Sequence, residues 1–243
     1  MHADIMIIIA ITAVIQSLFG AGILLFGTTL LLLLDYPFID VLTLLLPVSL
    51  AVNLMQIFQH HSHIDFNFYR KVLLLSMPPI SVFLFLITHV RFNIGLIIGP
   101  FLLLIAAKEF SVAANRAINR LMQNQSIYFV MMGVVHGISN LGGSLLTAIV
   151  HHHNYPKDMA RATVAACYST FACVQLLTLW LFEQEQINLA SNESLIYMTV
   201  AVLIFGLTNE TVYSQINKEK YQRIFAIFLA ASGIILLSKS LSA

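Results

Sequence analysis

Twelve residues of this sequence have the types and spacing for one kind of chemistry, the holding of a small anion by neutral hydrogen-bond donors. Gly20 and Gly22 interrupt one long apolar run; Gly142 and Gly143 interrupt another, beside Ser139, Asn140 and Ser144. A helix that restarts after such a break, at about Ile23 and at about Ser144, presents unsatisfied N–H groups and a partial positive charge. Glycine lets the backbone approach a ligand closely, and Ser or Asn side chains cap the restart or donate to oxyanions. Asn53, Gln56 and Gln175 put amides inside apolar runs, where they are costly unless they bond across helices or to a ligand. His136, one turn before Asn140, is either an anion ligand and proton carrier near neutral pH or a neutral packing histidine. Tyr168 lies seven residues before Gln175, on the same helix face. The glycines read equally as small residues for close helix packing, and the amides as interhelical bonds.

Other chemistries find no support. No Asp, Glu, Lys or Arg falls near the middle of an apolar run, so an anion there meets no side-chain countercharge and a carboxylate proton relay is missing. The coupling ion stays open between a proton and sodium held by backbone carbonyls. The clusters His60, His61, His63 and His151, His152, His153 lack the i, i+4 spacing and accompanying Cys or carboxylate of a zinc site, and read as polar segment ends. Gly20-Ala21-Gly22 lacks the third glycine, preceding strand and acidic partner of a dinucleotide site. No cofactor is expected. With no nucleophile, acid and base set in view, the chain does not read as an enzyme. Cys167 and Cys173, six residues apart in one apolar run, cannot pair and read as small hydrophobes.

The elements that must position these residues follow from composition. Of 243 residues 59% are hydrophobic and 9% charged, with twelve Lys and Arg against eleven Asp and Glu. A soluble domain carries about a quarter charged residues, so this chain is an integral membrane protein whose principal partner is the bilayer. A net charge of +1 gives no electrostatic case for nucleic acid. The apolar start lacks the basic n-region of a secretory signal and is kept in the fold. Eight apolar segments are expected, at 5–34, 37–59, 70–89, 92–108, 126–151, 158–182, 194–212 and 222–240. The fold class is therefore an all-α polytopic membrane protein. Tyr36-Pro37 and Gln56 recur as Tyr155-Pro156 and Gln175 at an offset of 119, and one inserted residue sets Gly20 to Gly22 opposite Asn140 to Gly143. The chain thus divides into a first repeat, 1–108, a cytoplasmic linker, 109–125, and a second repeat, 126–243. Corresponding Gly-broken segments of such repeats point to a transporter binding site.

Charge decides the threading. Eight crossings split the cations six against six, whereas cytoplasmic loops carry an excess of Lys and Arg. If segment five is a re-entrant hairpin opening to the cytoplasm, ten cations share that face and only Arg91 and Lys239 oppose them. The acidic 6-to-7 loop with Glu183, Glu185 and Glu193 then lies outside. Segment one is about 45 Å long as a single helix against roughly 30 Å of hydrocarbon, so either it tilts or it is a second, outward-opening hairpin. In the hairpin case each half holds three crossings, and the repeats are inverted.

At these broken segments the sequence resembles the sulfite exporter TauE/SafE family of small membrane permeases. The resemblance rests on Ser17-Leu18-Phe19-Gly20-Ala21-Gly22 with the later Tyr36-Pro37, and on the stretch from Gly133 through His136, Ser139 and Asn140 to Ser144. It extends to the ending Tyr221 to Leu237 with Gly233. Where the family often shows three glycines, this chain has Gly22-Ile23-Leu24 and Gly142-Gly143-Ser144. The resemblance implies a multi-pass permease of a bacterial inner (cytoplasmic) membrane moving a small sulfur-containing anion such as sulfite, a sulfonate or a sulfinate. A facilitator for another small organic anion, an intramembrane enzyme using His136 or the triple histidines, and a helical assembly subunit are the competing readings. No pattern specifies an oligomeric state.

Overall fold

Each of the eight apolar segments is helical, and two of them are broken where the glycines stand. The computed structural model describes residues 2–20, 22–90, 93–183, 192–209 and 218–242, without the side chains of 18, 19, 109, 151, 192 and 218–225. Ala21, Arg91 and Glu185, which entered the sequence reading, lie outside the described residues. Segment one is α1 (Ala3–Phe19) and α2 (Ile23–Leu33); segments two to four are α3 (Phe38–His60), α4 (Phe66–His89) and α5 (Gly95–Phe110). Segment five is α7 (Gln125–Ser139) and α8 (Gly143–His152), and the last three are α9 (Lys157–Phe182), α10 (Asn192–Asn209) and α11 (Lys218–Ser242). The polar stretch 109–125 is itself largely helical, as α6 (Val112–Gln123), started by Ser111 Oγ accepting from the Ala114 N–H at 3.3 Å. Among the described residues there is no strand.

By length and composition Phe38–His63, Phe66–His89 and Lys157–Phe182 can each cross a membrane, and a fourth span results if α5 and α6, bent by 99°, are taken together. The helices α1, α2, α10 and α11 are apolar over shorter stretches. Arrays of exposed apolar side chains such as Leu74, Leu104, Leu203 and Leu207 suit a lipid environment. The chain is a membrane protein.

Both breaks turn the chain back on itself. Were α1 and α2 one straight helix, Gly22 would lie about 15 Å beyond Thr12. Instead a Cβ on Gly22 would stand 2.9 Å from the Thr12 carbonyl oxygen and 2.6 Å from the Gln16 nitrogen. The open end of this first hairpin is tied by Tyr36, whose hydroxyl donates to Asp4 Oδ2 at 2.7 Å. The second repeats the pattern. Tyr128 of α7 donates to the Leu145 carbonyl of α8 at 2.7 Å, and Gln125 and His153 meet at 3.2 Å where the hairpin opens. Tyr36 stands two residues before α3, whereas Tyr155, its ring stacked on that of His153, bonds Asp65 just past the end of α3. The two hairpins therefore open at opposite ends of α3.

Helices α3 and α9 pack together at the centre, each also bordering one hairpin. At the α3–α4 turn Asp65 joins three elements. Its Oδ1 accepts from the Phe68 N–H at 2.9 Å and so caps α4, its Oδ2 accepts from the Tyr155 hydroxyl at 2.7 Å, and its own N–H donates to Thr163 of α9 at 3.0 Å. The Phe68 N–H, the largest influence, holds the Asp65 carboxyl below its ordinary value; burial opposes it, and the Tyr155 hydroxyl lowers the value further. Cys167 is buried and Cys173 exposed, and they are not paired with each other.

A depressed carboxyl pKa means that the stabilisation from Asp65 is fully present above its unfolded value, near 3.8, and is lost as pH falls through the folded value. Asp65→Ala is expected to cost about 1 kcal/mol at neutral pH through the lost cap. In thermal unfolding of the detergent-purified protein, the gap in Tm between wild type and variant should narrow as the pH is lowered toward and below 4. A gap that is constant with pH would show that the carboxylate is not the stabilising species.

Candidate functional site

The two breaks are built alike, at an offset of 120. Gly20 ends α1 in the left-handed conformation (φ 72°), its N–H donating to the Gln16 carbonyl at 2.8 Å. Asn140 ends α7 likewise (φ 60°), its N–H donating to the His136 carbonyl at 2.8 Å. Left-handed backbone favours Gly, with Asn the next most tolerant residue, which accounts for both identities. Two residues on, Gly22 packs on Thr12 and Gln16, and Gly142 packs on Met132 and His136. No side chain fits there: a Cβ on Gly142 would meet the His136 Cβ at 2.5 Å and the Met132 carbonyl at 2.7 Å.

What fills each tip differs. At the first, Gln16 holds the Ile23 N–H on its Oε1 at 3.0 Å, and its Nε2 donates to Asn53 Oδ1 at 2.8 Å. Asn53 in turn donates to Ser49 Oγ at 3.0 Å, so this amide network is closed on itself. Beside Gly20, Gln56 donates to the Arg161 carbonyl at 3.3 Å, leaving Gln56 Oε1 without a partner among the described residues. The Arg161 guanidinium donates to the Ser17 carbonyl at 3.1 Å and to Asn209 Oδ1. It thus sits at the C-terminal, partially negative end of α1.

At the second tip the corresponding residue, His136, does not cap α8. Its Nε2 lies 3.1 Å from Gln175 Oε1, while its Nδ1, the Gln175 Nε2 and the Asn140 Oδ1 have no partner among the described residues. His136 and Gln175 have no solvent exposure. Asn140 Nδ2 reaches across to Thr28 of α2 at 2.9 Å, tying one hairpin to the other. Tyr168 rises from α9 so that its hydroxyl occupies the space a Gly143 side chain would take, with its ring 6.4 Å from that of His136. The α8 helix starts tightly: the Ser144 and Leu145 N–H groups bond back to Leu141 and Gly142 at 3.1 and 3.0 Å. The N–H groups of Gly142 and Gly143 find no acceptor among the described residues. Buried donors and acceptors left unpaired cost about 1–3 kcal/mol each, so the usual partner of such a group is a buried water or a bound ligand.

The structure therefore divides the twelve candidates. His136, Asn140, Gly142, Gly143, Tyr168 and Gln175 gather at the second tip, and Gly20, Gly22, Asn53 and Gln56 at the first. Ser139 and Ser144 serve the turn itself, Ser139 accepting from the Leu141 N–H at 3.2 Å and Ser144 donating to the Leu141 carbonyl at 2.9 Å. Of the earlier glycines in the same stretch, Gly133 and Gly137 let α7 lie against the backbone of α4 at Ser76 and Ile80. Gln16, Thr28 and Arg161 were missed by sequence reasoning. Gln16 was findable, standing 120 residues before His136. Arg161, which its place near the start of α9 makes a loop cation by sequence, is only 6% exposed. A surface cavity of about 330 Å³, lined among others by Asp35, Asn93 and Lys239, lies away from both tips at the open end of the first hairpin. There Lys239 pairs with Asp35 at 2.7 Å.

Gly142→Ala should lower stability by about 1–3 kcal/mol, because the added methyl meets the Met132 carbonyl and the Cα and Cβ of His136 rather than a movable side-chain end. Gly206→Ala, whose Cβ meets only the Met55 methyl at 3.1 Å, serves as the control and should change Tm little. Equal effects of the two changes would remove the packing argument for the tip.

No curated protein and no solved structure matches the chain. The model of one family, described as sulfite exporter TauE/SafE, matches residues 5–236, nearly the whole length. With this coverage, and with both Gly-broken hairpins inside it, the chain belongs to the sulfite exporter TauE/SafE family, a family of membrane transporters.

Proposed function

We propose that this protein is a permease that moves a small sulfur-containing anion, of the sulfite, sulfonate or sulfinate class, across the cytoplasmic membrane, and that the anion is held at the second hairpin tip. The observation that carries the reading is the set of buried, unpartnered groups there: His136 Nδ1, Gln175 Nε2, Asn140 Oδ1 and the Gly142 and Gly143 N–H groups. Two or three neutral donors at a helix start can hold an oxyanion without a fixed countercharge, and such a site binds tightly enough to select and weakly enough to release. Irregular backbone at membrane depth is tolerated where it is packed by protein or lines a cavity, which suits a transport pathway between the hairpins.

Alternating access fits an inverted repeat. Its supports are the offset of 120 that relates the two breaks, the opening of the hairpins at opposite ends of α3, and the antiparallel pairing of α3 with its counterpart α9. Orientation rests on charge. The second hairpin opens at the end of α3 that carries Arg70, Lys71 and Lys157, which is the cytoplasmic one under the positive-inside rule. Transport then amounts to one repeat rocking against the other around the tips.

The test is thermal unfolding of the detergent-purified protein with sulfite, methanesulfonate, hypotaurine, sulfate, lactate and chloride at matched ionic strength. A ligand of the folded state at a hundredfold excess over Kd stabilises by about 2.7 kcal/mol. Stabilisation by the sulfur oxyanions, lost in Gln175→Met, is expected. Stabilisation by lactate alone would move the substrate to another class of organic anion, and a flat panel would overturn the site.

A further inference from the structure

We infer that the second tip takes a singly charged oxyanion that carries its own hydrogen-bond donor, a hydrogensulfite-like species, in preference to a dianion or a donor-free anion. The inference rests on the anion reading above and narrows it to a protonation state. Two independent features carry it, the mixed hydrogen-bond inventory of the site and its lack of full charge.

The inventory does not depend on how hydrogens are assigned. If His136 Nε2–H donates to Gln175 Oε1, as the 3.1 Å contact is written, then Nδ1 is left as an acceptor and the Gln175 amide N–H groups as donors. If the imidazole carries its proton on Nδ1 and the Gln175 amide is turned, Nδ1–H becomes the donor and Oε1 the acceptor. In each case the neutral pair offers one free acceptor atom beside two N–H donors. To these add the Gly142 and Gly143 N–H donors, the Tyr168 hydroxyl, which can donate or accept, and the side-chain amide of Asn140, whose one oxygen or nitrogen not engaged by Thr28 is unpartnered. A dianion such as sulfate satisfies the donors and leaves the acceptor facing negative charge. An oxyanion with an O–H group satisfies both kinds, and removes the cost of an unpaired buried acceptor.

Charge points the same way. The titratable groups around the tip are His136 on α7 and Tyr168 with the buried Cys167 on α9. Helix α2 contributes Thr28, α4 meets α7 there through Ile80, Phe83 and Leu84, and α8 has only its C-terminal histidines, at the far end of the helix. The nearest cation on α9, Arg161, stands two turns before Tyr168, about 10 Å along the axis, beside the other tip. The idealised cost of desolvating an ion grows with the square of its charge, so a dianion costs roughly four times as much here as a monoanion, with no side-chain cation in contact to offset it. Sulfite, which takes up a proton near neutral pH, is offered to the site in both forms.

The experiment is calorimetric titration of the purified full chain with sulfite and with methanesulfonate between about pH 6 and about pH 9, where above its second ionisation sulfite should weaken about tenfold per pH unit in total concentration. Methanesulfonate keeps a single charge throughout, so any pH dependence it shows belongs to the protein, and the ratio of the two affinities isolates the proton on the ligand. A companion pair at fixed pH, hydroxymethanesulfonate against ethanesulfonate, tests the donor directly. The hydroxyl form should bind about fivefold more tightly, the net worth of one hydrogen bond. A sulfite affinity that holds or rises with pH relative to methanesulfonate overturns the inference and leaves the permease reading intact. Failure of every sulfur oxyanion to bind at any pH overturns both.

Discussion

A polypeptide that breaks its helix in the interior of a membrane protein must satisfy the freed backbone groups without bulk water. Both breaks in this chain meet that constraint first by the same means. A left-handed residue, Gly20 or Asn140, turns the chain, and a glycine two positions later lays the returning strand of backbone directly on the helix it has just left. The closeness of that return fixes much else. It brings α2 against α1 and α8 against α7, it puts the restarting helices at the bundle centre beside α3 and α9, and it lets Asn140 of one hairpin reach Thr28 of the other.

The two solutions then diverge in what they do with the restarted helix. Gln16 fills the first tip with an amide that has a partner on each side, one on α2 and one on α3. His136 in the same register turns instead to Gln175 on α9, and the start of α8 is left with donors and no protein acceptor among the described residues. The two breaks, alike in backbone, thus differ in side-chain pairing: the first closes around Gln16 with Gln56 Oε1 left over, and the second leaves His136 Nδ1, Gln175 Nε2 and Asn140 Oδ1 without a protein partner among the described residues. Arg161 belongs to the first tip. Its guanidinium joins the end of α1 to α10 through the Ser17 carbonyl and Asn209, and locks the first hairpin to the central helix.

Much of this was legible in the sequence, for a physical reason. The need for some 20 apolar residues to cross a bilayer makes segments visible as composition, and a glycine pair inside such a run signals either a break, as at Gly20 and Gly22, or close helix packing, as at Gly133 and Gly137. The starts and ends of most helices fell within a few residues of expectation, and α6 went unnoticed because a short polar helix at the end of a span has no composition of its own. Side-chain direction was less visible. Twelve candidates share the property of being polar or small in an apolar setting, yet Ser139 and Ser144 face their own turn and Asn53 faces Gln16, which depends on three-dimensional register between helices rather than on spacing along one. Arg161 shows the same limit from the other side. Four residues into its helix it reads as a loop cation, and only the approach of Gly20 and the α1 terminus explains why it is buried.

The claim on which the rest turns is that the hairpins enter from opposite faces, and labelling of single cysteines tests it most directly. In a background with Cys167 and Cys173 replaced by Ala, cysteines at Ala3 and Leu34 mark the open end of the first hairpin. Cysteines at Ser126 and Asp158 mark that of the second. A membrane-impermeant maleimide should modify the first pair from outside intact cells only, and the second pair in everted vesicles only. Reaction of Ser126→Cys and Asp158→Cys from different faces would make segment five a simple crossing, and reaction of all four from one face would abolish the inverted arrangement.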